Sequence, residues 1–89
     1  MASLTPAQKF VLCWMDRGFL LRGGGMGKGE LVNHRSGVVA AQTHQSLIRR
    51  RWIRKIMGTE QADTFVCDWC LTEKGLAVAA QCREHESCR

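Results

Sequence analysis

Five of the seven residues from Gly23 to Gly29 are glycine, and no regular helix can be carried through such a run. The run reads as a flexible loop, with one helix before it and several elements after it. The helix before it is marked at both ends. Thr5-Pro6-Ala7-Gln8 is a helix start: Thr5 can cap, Pro6 suits the first helical position, and Gln8 can complete a capping box. Ala7, Phe10, Val11, Trp14 and Met15 recur at helical spacing. Arg17 falls in the last turn and Gly18 closes the helix, which is predicted over residues 5–17.

Phe19-Leu20-Leu21-Arg22 is a short apolar run compatible with a strand. Beyond the glycines, residues 30–36 read as a short helix ending at Gly37. A longer helix follows over 39–51, with Ala40, Thr43, Leu47 and His44 facing inward. Trp52 to Met57 reads as a strand, Gly58 to Asp63 as a polar turn, and Thr64 to Leu71 as a second strand. In the second strand Phe65, Cys67, Trp69 and Leu71 alternate toward one face, so the two strands form a hairpin. Thr72 caps a last helix, to which Leu76, Ala77, Ala79 and Ala80 supply apolar surface. With 89 residues there is room for one domain, expected over residues 1–82, and a polar tail over 83–89.

Charge is segregated along the chain. Residues 1–55 carry ten Lys and Arg against Asp16 and Glu30, a net +8, whereas residues 56–89 carry three against six acids, a net −3. Arg49-Arg50-Arg51-Trp52-Ile53-Arg54-Lys55 places five cations in seven residues. A localised positive surface suits a polyanionic partner. It also suits a solvated helix end, where arginines complement the helix dipole.

Two segments, Thr43 to Ile53 and Trp69 to Gly75, resemble the winged helix-turn-helix family of small bacterial and phage-type regulators. Thr43-His44-Gln45-Ser46-Leu47-Ile48-Arg49-Arg50-Arg51-Trp52-Ile53 is similar to the end of a recognition helix running into the first wing strand, often "T-x-x-x-L-x-x-R-G-x-I". Trp69-Cys70-Leu71-Thr72-Glu73-Lys74-Gly75 is similar to the "Y-x-L-T-x-x-G" that leads from the second wing strand into the last helix. The resemblance covers residues 4–82 and implies an α+β fold: a three-helix core, a β-hairpin wing and a C-terminal helix. Trp52 stands where the family has glycine. The wing tip, with Glu60 and Asp63, lacks the basic residues that winged proteins often use there.

What the resemblance implies is a transcriptional regulator that places a basic recognition helix in the major groove of double-stranded DNA. Gln42, Thr43, Gln45, Ser46, Arg49, Arg50, Arg54 and Lys55 are the expected DNA-binding residues. Gln42, Gln45, Ser46 and Arg49 face outward, with Gln suited to adenine and Arg to guanine. Arg50, Arg54 and Lys55 face phosphates, joined by Arg22, Lys28 and Arg35. Pairing of two copies through the first or last helix would match paired half-sites. The alternative is a winged-helix protein-binding module, an adapter or an inhibitor of host machinery, which the acidic wing tip suits.

Other chemistry finds less support. Cys67-Asp68-Trp69-Cys70 has C-x-x-C spacing, with Cys82, His85 and Cys88 beyond, yet in an extended strand Cys67 and Cys70 project to opposite faces. No metal and no cofactor is expected. Five cysteines, an odd number, do not suggest a disulfide framework. The glycine run departs from a phosphate-binding loop, since Arg22 stands at its first position and Gly29 follows Lys28. No carboxylate pair or Ser-His-Asp set can be assembled, so no enzyme is expected. The Met1 to Pro6 segment lacks the features of a secretion signal and no apolar run reaches the ~20 residues of a membrane span. The expected compartment is the cytoplasm.

Overall fold

The computed structural model describes residues 4–25, 27–61 and 66–86. Helix α1, Pro6–Asp16, is capped as its sequence requires. The Gln8 amide donates to Thr5 Oγ1 at 3.1 Å, and the Thr5 amide donates to Gln8 Oε1 at 3.0 Å. Gly18 ends it in the left-handed region, φ +103°. The buried stripe is Gln8, Val11, Leu12, Cys13 and Met15, rotated from the expected one. Ala7 is exposed, and Phe10 and Trp14 lie on the flank. There they form edge-on ring contacts with His34, at centroid distances of 5.2 and 4.5 Å.

Among the described residues, the chain continues through β1 (Leu21–Gly23), β2 (Gly29–Leu31), β3 (Val38–Val39), α2 (Ala41–Arg49), β4 (Ile53–Lys55), β5 (Cys67–Leu71) and α3 (Glu73–Glu86). The strands form one five-stranded antiparallel sheet in the order β3-β2-β1-β5-β4. The architecture is α+β, with three helices and this sheet.

Two expectations are corrected by it. Gly23 and Gly29 are paired strand residues, so the glycine run is a hairpin. Residues 30–36 are not helical: Leu31 is a fully buried strand residue, and Asn33 turns the chain at φ 67°. The Val32 amide donates to the Leu20 carbonyl at 2.8 Å and the Leu31 amide to the Gly37 carbonyl at 2.7 Å. These pairings take the amides that a helix would have used locally. The helix that would form the first half of a helix-turn-helix is therefore absent.

The hairpin of β4 and β5 is present, with Ile53 opposite Leu71 and Lys55 opposite Trp69. Phe65 and Asp63 lie outside the described residues. The corner from α2 into β4 is turned by Arg51, at φ 60°, a conformation that costs a non-glycine residue roughly 1–2 kcal/mol. The residue in the glycine-like conformation is therefore Arg51 and not Trp52, which is buried. Thr72 fastens the same corner. Its hydroxyl donates to the Arg51 carbonyl at 2.6 Å and accepts from the Gly75 amide at 3.0 Å, capping α3. Gly75 packs directly on the Trp52 carbonyl, with no room for a Cβ. The inward side of α3 is Gly75, Ala79 and Cys82, whereas Leu76 and Ala77 are exposed. The helix runs to Glu86, past the expected start of the tail.

Val11, Leu12, Met15, Leu21, Leu31, Val39, Leu47, Trp52, Ile53, Cys67, Trp69 and Ala79 form the core. Strand alternation puts the apolar members on the sheet face that meets the helices. The other face carries Arg22, Glu30, Val38, Arg54, Asp68 and Cys70, none of them buried. No helix among the described residues is long and apolar enough to cross a membrane.

Candidate nucleic-acid interface

Helix α2 has nine residues and two contrasting sides. His44 and Leu47 are fully buried. Gln42 and Arg49 are exposed on the opposite side, and Ala41 is exposed in the first turn. Gln42 and Arg49 are seven residues apart, nearly two whole turns, so they share one outward line.

The polar residues between them are partly engaged within the protein. Ser46 Oγ donates to the Thr43 carbonyl at 2.6 Å and accepts from Gln8 Nε2 at 2.9 Å, which ties α2 to α1. Gln45 Nε2 donates to the Gly27 carbonyl at 3.3 Å. Thus Gln42, Arg49, Arg50, Arg54 and Lys55 are exposed, while Thr43, Gln45 and Ser46 are half-buried. The Gln8–Ser46 link has no sequence signal, because it joins residues 38 apart.

The cations gather where α2 runs into β4. Arg49, Arg50, Arg51, Arg54 and Lys55 are all exposed within this corner. The Arg50 guanidinium lies 5.1 Å from the Trp52 ring centroid, a cation–π contact that holds it at the surface. Lys55 Nζ is 3.9 Å from a Glu60 carboxylate oxygen, a loose surface pair worth little in water. The other cations are dispersed. Arg22 Nε donates to Asp68 Oδ1 at 2.8 Å, and this hydrogen bond and the carboxylate charge hold the guanidinium more firmly protonated than usual. Its charge is balanced on the sheet's outer face. Arg17 sits 4.9 Å from the Trp14 ring centroid. Lys28 and Arg35 are exposed on the turns of the β1–β2 and β2–β3 hairpins.

The glycine hairpin lies against the buried side of α2. His44 Nε2 is 2.8 Å from the Gly24 carbonyl, and the ring meets Trp69 edge-on at 5.5 Å. With Nε2 donating its proton there, Nδ1 is the unprotonated nitrogen of a neutral ring, and among the described residues it has no hydrogen-bond partner. Burial lowers the His44 pKa, and the Gly24 carbonyl opposes that only in part. Trp69 Nε1 donates to the Gly23 carbonyl at 2.9 Å, and Cys67 Sγ approaches the same oxygen at 3.7 Å. Burial raises the Cys67 thiol pKa, which makes it a packed apolar group. Cys67 and Cys70 project to opposite faces of β5. Among the described residues no three His, Cys, Asp or Glu side chains are grouped to hold a metal ion.

The arrangement offers a helix with an exposed Gln42–Arg49 line, a five-cation corner at its C-terminal end, and a glycine loop at its flank. Comparison with known proteins gives no matching family model, no matching curated protein and no matching solved structure.

Proposed function

We propose that this chain binds double-stranded DNA through α2 and the cationic corner, as a small transcriptional regulator. In this reading the domain is a variant winged helix in which the β2–β3 hairpin stands in place of the helix that precedes the recognition helix. The observation that carries the reading is the overlap of exposure and charge: Arg49, Arg50 and Arg51 are exposed at the C-terminal end of α2, and Arg54 and Lys55 are exposed on β4, the strand that follows. Gln42 and Arg49 present side chains suited to base edges, and Arg50, Arg54 and Lys55 present charge to phosphates. Thr43, Gln45 and Ser46 support the helix more than they contact the duplex.

The test is a titration of labelled duplex at two ionic strengths. Affinity falls with salt at a log–log slope of about −0.9 per phosphate neutralised. Arg49→Ala with Arg50→Ala reduces that slope by about 1 through the lost Arg50 phosphate contact and relaxes base discrimination through the loss of Arg49. Absence of duplex binding at low salt overturns the reading. A second reading, a protein-binding module, is favoured by Glu60, which places an acid beside Lys55 in the wing. A stoichiometric protein partner that survives nuclease treatment, with no duplex binding, selects it.

A further inference from the structure

Among the described residues, the non-glycine residues with positive φ are Asn33, at 67°, and Arg51, at 60°. Asparagine enters the left-handed region readily, because its short polar side chain bonds locally. Arginine lacks that help, and a glycine at position 51 would make the same turn without strain. The turn is fixed by hydrogen bonds that need no side chain at position 51. The Arg51 amide donates to the Ile48 carbonyl at 3.0 Å, and the Trp52 amide to the Leu47 carbonyl at 3.1 Å. The Arg51 carbonyl accepts from the Thr72 hydroxyl at 2.6 Å. Backbone strain that persists under such bonding concentrates at binding sites, where the strained residue has a task.

The charge around Arg51 indicates the task. Arg51 is exposed, with Arg49 and Arg50 before it at the end of α2 and Arg54 and Lys55 after it on β4. Five like charges in one corner repel one another, and a polyanion turns that repulsion into attraction. Arg50 leans on the Trp52 ring and Lys55 faces Glu60. Arg51 is instead aimed by its main chain: its Cα–Cβ bond leaves a turn bonded on both sides, so its direction is set before a partner arrives. Such preorganisation lowers the ordering cost of binding.

We propose that Arg51 is a phosphate-binding residue of the duplex interface, aimed by its left-handed backbone at the strand that crosses the junction of α2 and β4. The proposal rests on the DNA-binding reading of α2 and β4, and it adds a contact to those which that reading assigns. Arg51 thereby lowers the stability of the free protein and raises its affinity for the duplex.

The experiment uses the full chain and labelled duplex DNA, comparing wild type with Arg51→Gly, Arg51→Asn, Arg51→Lys and Arg49→Ala/Arg50→Ala. Each protein is titrated at several ionic strengths, and its denaturation midpoint is measured on the same sample. Arg51→Gly raises the midpoint and reduces the salt slope by about 1. Arg51→Asn, which also tolerates the left-handed region, does the same, so a loosening peculiar to glycine is separated from the loss of charge. Arg51→Lys, which returns the charge together with the strain, restores the slope. If both Arg51→Gly and Arg51→Asn lose stability, the side chain serves the fold and the proposal is overturned. It is equally overturned, with the α2–β4 reading left standing, if both keep the wild-type slope while Arg49→Ala/Arg50→Ala weakens binding, or if Arg51→Lys has the reduced slope of Arg51→Gly. If wild type binds no duplex, or Arg49→Ala/Arg50→Ala binds as wild type does, both fall.

Discussion

Two of the sheet's hairpins are joined to the helical layer in opposite ways. The β4–β5 hairpin is joined to the helical layer by backbone: Gly75 rests on the Trp52 carbonyl, and Thr72 bonds to the Arg51 carbonyl. The β1–β2 hairpin is joined to α2 by side chains: His44, lodged against Gly23 and Gly29, and Gln45, bonded to the Gly27 carbonyl. Main-chain contacts cannot yield, because the Trp52 carbonyl, just before β4, is itself held by the Thr72 amide at 3.0 Å. A ring held by rotatable bonds can shift by tenths of an ångström or be removed. The corner from α2 into β4 is thus the rigid attachment and the glycine hairpin the adjustable one.

The largest effect expected from this contrast is at Gly75. Gly75→Ala drives a methyl into the Trp52 carbonyl and destabilises the fold by about 3 kcal/mol, the upper part of the overpacking range. Chemical denaturation measures it, and no side-chain deletion elsewhere relieves it. Gly29→Ala costs less, about 1–2 kcal/mol, because its neighbours are the His44 ring and Leu21 Cδ1. In a His44→Ala background most of that penalty vanishes, a coupling read from a double-mutant cycle. An undiminished penalty breaks the comparison.

The third effect is on pH. The folded pKa of His44 lies below its ordinary value because the ring is buried. The groups around the ring are Gly23, Gly24, Gly29 and Trp69, and none carries charge. The unfolded chain therefore binds more protons between the two values, so stability rises with pH through that window. This contribution is full above about pH 6.5 and declines as pH falls from there toward the folded pKa. Denaturation midpoints at pH 7.5 and 5 drop less for His44→Gln than for wild type. The smallest effect is a gain. Arg51→Gly relieves the left-handed strain at the corner between α2 and β4 and stabilises by about 1 kcal/mol at most, measured in the same denaturation series.

The β4–β5 hairpin was legible in the sequence, and the glycine hairpin was not. Cys67, Trp69 and Leu71 alternate, so β5 shows its period of two in its side chains. Gly23 and Gly29 have no side chains to carry such a period, and their run has the composition of a loop. Residues 30–36 misled for a related reason. A single turn's worth of apolar residues fits a helix or a strand, and the choice fell to β1, which supplied hydrogen-bond partners. The expected binding residues divide along the same line. Arg49, Arg50, Arg54 and Lys55 are exposed as their charge requires. Ser46 and Gln45 were drawn into contacts with Gln8 and Gly27 that no local pattern announces.

By itself the sequence determined what can be settled within about four residues: the Thr5–Gln8 capping box, the Thr72 cap, the stop at Gly18, and the segregation of cations into the first 55 residues. It also determined the β4–β5 hairpin, whose second strand announces itself by alternation. Tertiary structure decided the pairing of the glycine run, the loss of the expected helix at 30–36, and which side chains of α2 remain available. Those outcomes depend on partners distant in the chain, such as Leu21 opposite Trp69 and Gln8 on Ser46. A hydrogen bond or a packed ring at that separation exists only once the rest of the fold has brought both ends together.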